Sequence, residues 1–167
     1  MKNIVLFGFM GCGKTTVGAL LAQKAGLSLL DTDQYLEQKY GRRIPEIFAQ
    51  DGEEAFRRME REVCADLAGQ KDLVLCCGGG TVLAEENARV LAQSGVMVFL
   101  DAPFAVCYGR IRQSDRPLVR QNSREQLREI FARRRPVYLS RAQLTADAAA
   151  PPEQAAQEII LAMQSHQ

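Results

Sequence analysis

Three observations predict an α/β fold with a parallel sheet covered on both faces by helices. Strand-like and helix-like segments alternate along the chain. The strands are near-continuous apolar runs, as buried parallel strands are. Between the first strand and the first helix stands Gly8-Phe9-Met10-Gly11-Cys12-Gly13-Lys14-Thr15, the G-x-x-x-x-G-K-T pattern of a phosphate-binding loop. The 167 residues suffice for one domain, 1–167, with a sizeable core.

The elements follow in order. Asn3–Phe7 reads as a first, fully buried strand. Lys14–Ala25 is helical in its periodicity, and Gly26 stops it. Leu27–Leu30 is a short second strand ending at Asp31-Thr32-Asp33. A long helical stretch, Asp33–Gly69, follows, with breaks at Gly41, Ile44-Pro45 and Asp51-Gly52. Leu73–Cys77 is a third strand running into Gly78-Gly79-Gly80-Thr81, and Glu85–Gln93 is a helix. Val96–Leu100 is a fourth strand, closed by Asp101-Ala102-Pro103, and Phe104–Ile111 is a helix. Arg112–Ser123 is polar and arginine-rich and reads as a loop. Ser123 caps a helix that runs to Tyr138. Gln143–Ala146 is a weak fifth strand, and Glu153–Met163 a last amphipathic helix. The stretch between strands two and three, and the arginine-rich loop, read as insertions on this core.

Composition narrows the function. Net charge is +1, so the whole-molecule field does not suggest nucleic acid. Ten arginines between Arg110 and Arg141, against Asp115, Glu125 and Glu129, make a local anion-binding field instead. No aromatics interleave those of the loop, Arg112, Arg116 and Arg120, as a single-strand binder would require. Five cysteines without a C-x-x-C pair, and His166 as the single imidazole, argue against a zinc site and suit a reducing cytoplasm. No signal-peptide pattern and no membrane-length apolar run is visible. A cytoplasmic monomer without membrane or nucleic-acid partners is expected.

Four strand ends carry the candidate chemistry, because ligands of open α/β sheets sit beyond the carboxyl ends of the strands. In the first loop, backbone N–H groups and the helix N-terminus would wrap the phosphates of a nucleoside triphosphate. Lys14 reaches the outer phosphates there, and the Thr15 hydroxyl is placed for Mg²⁺. Asp31 and Asp33, two apart on an extended segment, both face the cleft. One can hold Mg²⁺ and the other accept a hydroxyl proton; the plainer alternative is that Asp33 only caps the next helix. Asp101 ends an apolar run in the manner of a metal-holding acid, but the Ala102-Pro103 that follows favours a helix cap. On spacing alone Arg57 is an exposed helix-face arginine. Gly78-Gly79-Gly80 brings bare backbone N–H groups close to a ligand. Arg116 lies where a loop can close over the triphosphate. Arg133-Arg134-Arg135 ends a helix, where the dipole favours cations in any case.

With these motifs in order, the chain resembles the shikimate kinases over roughly Asn3–Met163. The match rests on residues 8–15, Leu-Leu-Asp-Thr-Asp at 29–33, Ile-Phe-Ala-Gln-Asp-Gly-Glu-Glu-Ala-Phe-Arg-Arg-Met-Glu at 47–60, Gly-Gly-Gly-Thr at 78–81, Arg-Pro-Leu at 116–118 and Arg-Arg-Arg-Pro-Val-Tyr at 133–138. The resemblance implies a three-layer P-loop kinase fold, its five-stranded parallel sheet in order 2-3-1-4-5 flanked by helices. It implies ATP- and Mg²⁺-dependent phosphorylation of the 3-hydroxyl of shikimate, with 33–67 as substrate-binding region and 112–122 as lid. By the same resemblance Gly11, Cys12, Gly13, Lys14, Thr15, Thr16, Arg110 and Arg116 bind nucleotide, with Arg110 against adenine. Thr15 and Asp31 serve the metal. Asp33 is the candidate base, Gly79 and Gly80 contact another ring hydroxyl, and Arg57 and Arg134 clamp the carboxylate. Lys14, Asp33 and Arg116 form the catalytic set. Two departures stand out. Thr145–Pro152 has no arginine, so adenine contacts there fall to backbone. Cys12 sits inside the phosphate loop, as a reactive thiol or, more simply, an inert small residue. A kinase for another small hydroxy acid or a nucleoside monophosphate, and a non-catalytic nucleotide-binding homologue, are the competing readings.

Overall fold

The computed structural model describes residues 2–114 and 116–165; Met1, Asp115, His166 and Gln167 lie outside it. Five parallel strands form one sheet in the order β2-β3-β1-β4-β5. They are β1 Asn3–Phe7, β2 Ser28–Asp31, β3 Leu73–Cys76, β4 Gly95–Asp101 and β5 Leu144–Asp147. The central strand β1 is buried throughout, since both its faces are covered; this is why its sequence shows no alternation. Asn3 is buried with it, and its amide accounts for itself by donating to Gln70 O (3.0 Å) and accepting from Leu73 N (3.0 Å).

Among the described residues eight α-helices connect and cover the strands: α1 Lys14–Ala25, α2 Thr32–Tyr40, α3 Ile44–Ala68, α4 Glu85–Ala92, α5 Phe104–Ile111, α6 Pro117–Arg120, α7 Arg124–Arg141 and α8 Pro152–Gln164. Helices α1 and α8 pack on each other, α1 against β2 and β3, and α8 against β5; α3 packs on α4, and α4 and α7 reach β4. By the right-handed rule for crossovers between parallel strands, these two groups lie on opposite faces. No described helix is long and apolar enough to cross a membrane.

Several boundaries depart from the sequence reading for local reasons. Strand β2 starts at Ser28, because Leu27 N is spent on Ala22 O (2.9 Å) behind the left-handed Gly26 that ends α1. Asp31, not Asp33, caps α2, accepting from Asp33 N (2.8 Å) and Gln34 N (3.0 Å). Ile44-Pro45 is a helix start rather than a break, since proline in a first turn forfeits no helical bond. The break expected at Asp51-Gly52 is a kink inside α3, with Gly52 at φ 86°, ψ 172°. A 3-10 turn at Thr81–Leu83, and α6 within the arginine-rich segment, were not legible in the sequence. Ser123 caps α7 as expected, in a capping box with Gln126. The helix then continues past Tyr138 to Arg141 despite Pro136, its buried face outweighing one lost bond.

Candidate functional site

The phosphate loop lies between β1 and α1. Gly11 and Gly13 occupy φ 79° and 93°, and a Cβ on Gly11 would stand 2.6 Å from Cys107 O, so only glycine carries the chain over α5 there. Lys14 folds back on this loop, its Nζ donating to Gly8 O (2.9 Å) and Phe9 O (3.4 Å) with Cys12 Sγ at 3.7 Å. The Cys12 side chain is 1% exposed. It points into the core under the loop, which favours the inert reading over a reactive thiol. Cys76 donates to Lys14 O (3.3 Å), and burial, then the Asp31 charge, pushes its thiol up to about 12. Thr15 and Thr16 are exposed at the start of α1. Arg110 flanks the loop from α5, donating to Gly11 O (2.9 Å).

A cavity of about 460 Å³ opens beside the loop, bounded by the ends of β2 and β3, by α3, and by the 116–121 segment. It brings together Lys14, Thr15, Asp31, Asp33, Arg57, Gly78, Gly79, Gly80, Arg116 and Arg134. These include every residue expected from the sequence to handle metal and acceptor, together with Lys14 and Arg116 of those expected at the nucleotide. Gly11, Cys12, Gly13, Thr16 and Arg110 do not line it.

Asp33 sits at the centre. A Cβ on Gly78 would lie 2.7 Å from its Oδ1, so its carboxylate rests against bare glycine backbone. The carboxylate accepts no hydrogen bond among the described residues. Burial, followed by the charges of Asp31 and Glu60 and opposed by Lys14 and Arg116, raises its pKa from 3.8 to about 6. That is the setting of a carboxylate able to exchange a proton near neutral pH. Asp31 spends Oδ1 on its cap and keeps Oδ2 without a described partner, toward the wall it shares with Thr15.

Arg57 is not the free surface arginine that spacing suggested. It lies over the Phe56 ring (5.3 Å to the centroid) and against Gly80, and pairs with Glu60 (Nη1–Oε1 2.9 Å) and more loosely with Glu53 (3.5 Å). Glu60 is 4% exposed and also accepts from Thr81 Oγ1 (2.8 Å), whose backbone carbonyl accepts from Asn87 Nδ2 (3.0 Å). The sequence reading gave Glu60 no role of its own. The available signal was its place three residues after Arg57, on the same face as the buried Phe56 and Val63. Sequence reasoning also passed over Phe48 and Phe56, whose rings (centroids 4.8 Å apart) make the apolar wall beside Ile44 and Pro45. It passed over Tyr138 too, whose hydroxyl donates to Gly79 O.

The three arginines at 133–135 separate cleanly. Arg134 faces the cavity near Gly79 and makes no ion pair among the described residues. Arg135 forms a two-bond pair with Asp101 (Nε–Oδ1 3.1 Å, Nη2–Oδ2 2.7 Å). Arg133 is exposed. Asp101 therefore neither caps α5, whose N-cap is Pro103 with no side-chain bond, nor faces the cavity. The cap expectation fails because α5 starts only at Phe104, which leaves Asp101 two residues before the cap position.

Among the described residues no cluster of three His, Cys, Asp or Glu is arranged for a metal. Thr15 and Asp31 share a wall, and one hydroxyl with one carboxylate oxygen is a donor set that suits Mg²⁺ held mainly by phosphates and water.

A sequence model of the shikimate kinase family matches residues 10–164. The chain is 40% identical to the shikimate kinase of Thermodesulfovibrio yellowstonii over 163 residues, 96% of this chain and 94% of that protein. It is 40% identical to that of Persephonella marina over 139 residues, 83% and 84% of the two chains. The solved structure of the shikimate kinase from Acinetobacter baumannii in complex with shikimate superposes with a TM-score of 0.93 at 37% identity, over 100% of this chain and 95% of that one. A gluconokinase from Sinorhizobium meliloti, at TM-score 0.57 and 18% identity over 94% of this chain and 88% of that one, shares the fold alone.

Proposed function

The chain belongs to the shikimate kinase family, and from that premise we propose how its residues transfer the γ-phosphoryl group of ATP to the 3-hydroxyl of shikimate. The phosphate loop and the N-terminus of α1 bind the triphosphate. Lys14 exchanges its bonds to Gly8 O and Phe9 O for phosphate oxygens. Thr15 and Asp31 would hold Mg²⁺, which would supply positive charge to neutralise the phosphates. Arg110 lies along the nucleotide.

The acceptor faces this loop across the cavity. Arg57, stiffened by Glu60 and Phe56, and Arg134 hold its carboxylate. Gly79 and Gly80 N–H groups read a non-reacting hydroxyl, and Phe48, Phe56 and Pro45 cover the apolar face of the ring. Asp33 accepts a hydrogen bond from the reacting hydroxyl and then its proton; a pKa near 6 leaves it mostly ionised and able to do so at neutral pH. Orientation of this hydroxyl in line with the γ-phosphate, in a site closed by the Arg116 segment, supplies most of what phosphoryl transfer needs.

The observation that carries this reading is the opposition of Asp33, Arg57, Arg134 and the glycine turn to the phosphate loop across one cavity. A coupled ADP-release assay against shikimate, gluconate and nucleoside monophosphates tests it. Mg²⁺-dependent turnover with shikimate alone is expected. Faster turnover with another acceptor, or ATP binding without turnover, would overturn it.

A further inference from the structure

We propose that Tyr138 is a positioning residue whose hydroxyl fixes the plane of the Gly79–Gly80 peptide, so that the Gly80 N–H faces the acceptor. The proposal rests on the reading of Gly79 and Gly80 as acceptor contacts. It adds the device that makes two side-chain-free residues into a defined recognition element.

The geometry of one peptide unit carries it. Tyr138 is 1% exposed and donates its hydroxyl proton to Gly79 O at 2.5 Å. Its ring packs on Phe7 and Phe99 (centroids 6.0 and 5.4 Å), so β1 and β4 set where that hydroxyl stands. No described peptide bond is cis. In a trans peptide the C=O and the N–H of the same plane point in opposite directions. With Gly79 O turned to Tyr138, the Gly80 N–H is turned away from it. The neighbouring amides are spent: Gly78 N donates to Thr32 Oγ1 (3.2 Å), Thr81 N to Gly78 O (3.1 Å) and Leu83 N to Gly80 O (3.3 Å). The Gly79 and Gly80 amides have no partner among the described residues, and both residues line the cavity. Two glycines in succession leave this peptide little side-chain resistance to rotation, so its orientation depends on the bond to Tyr138.

The same helix face extends the hold. Residues 134, 138 and 141 recur at helical spacing on α7. Arg141 donates to Val82 O (3.1 Å) and Leu83 O (3.2 Å), and Arg134 stands beside Gly79. Carboxylate-holding cation and hydroxyl-reading amide are thereby spaced by one helix.

The test compares kcat/KM for shikimate with that for its monodeoxy analogues, each lacking one non-reacting hydroxyl, in the wild type and in Tyr138→Phe, which keeps the ring. The wild type rejects one analogue strongly. In Tyr138→Phe that rejection ratio falls about tenfold, as loss of one ordered hydrogen bond implies, while the ratio for the other analogue and the KM for ATP stay unchanged. An unchanged ratio overturns the proposal, whatever happens to absolute rates. A wild type indifferent to both analogues also overturns it, and shows that the glycine-amide reading itself has failed. Should Tyr138→Phe not fold, Arg141→Gln loosens the same turn from its other end. It must weaken rejection of the same analogue, and failure to do so overturns the proposal.

Discussion

At the residue scale, Asp33 and Glu60 show how burial changes what a carboxylate does. Asp33 carries a folded pKa of about 6 against 3.8 when exposed. Below about pH 3.8 both folded and unfolded chains are protonated and the shift costs nothing. Between about pH 3.8 and 6 the unfolded chain ionises while the folded one stays protonated, so stability falls there by up to about 3 kcal/mol, and the full loss is present above pH 6. Asp33→Asn is therefore expected to abolish turnover while raising the unfolding free energy above pH 7, with the gain vanishing near pH 4; denaturant titrations across pH check this. Glu60 has the opposite position, a buried acid already paired. Glu60→Gln is expected to raise the KM for shikimate roughly tenfold or more through a misplaced Arg57, and to lower stability by about 1–3 kcal/mol. Steady-state kinetics and thermal unfolding measure both effects. Lys14, Thr15, Asp31 and Asp33 were legible because strand-end position and motif spacing alone put them at the cleft. Glu60 and Tyr138 were not, since their roles depend on Thr81 and Gly79, which come close only after β3 has paired with β1.

At the element scale, the helices and strands that follow local rules matched the sequence closely. Residues 3–7, 14–25 and 104–111 have the expected bounds, each set by apolar runs or by local glycine and proline signals. The misses share a different cause. The 3-10 turn at Thr81–Leu83 is held by Glu60 and Arg141, and α7 persists through Pro136 because Tyr138 is locked in the core. Tertiary contacts, not local propensity, decide both. Helix α3 depends on a glycine in a conformation essentially closed to other residues. A Cβ on Gly52 would touch nothing within 4 Å, so Gly52→Ala isolates backbone strain of about 1–3 kcal/mol. The expected drop in Tm is roughly 3–10 °C, readable by calorimetry. An unchanged Tm would mean that the kink relaxes into continuous helix.

At the scale of the whole molecule, the parallel sheet was legible from buried strands and interleaved helices, while its order came from family resemblance and could not come from periodicity. The order has a functional consequence. It sets β1 and β3 side by side, so the phosphate loop that follows β1 and the glycine turn that follows β3 open into the same cavity, with Asp31 and Asp33 brought in by neighbouring β2. Helices α3 and α7 then bring one arginine each to the acceptor side. Arg134 is the cleaner probe of that arrangement. It makes no described ion pair, so truncating it strands no buried acid, as removing Arg57 would strand Glu60. The most direct measurement is kcat/KM for shikimate and for its carboxamide in the wild type and in Arg134→Ala. The wild type should prefer the carboxylate by on the order of 100-fold or more, and the variant should lose most of that preference, as two charge-assisted bonds would require. Equal preference for the carboxylate in both proteins would contradict the placement of the acceptor between the phosphate loop and α7.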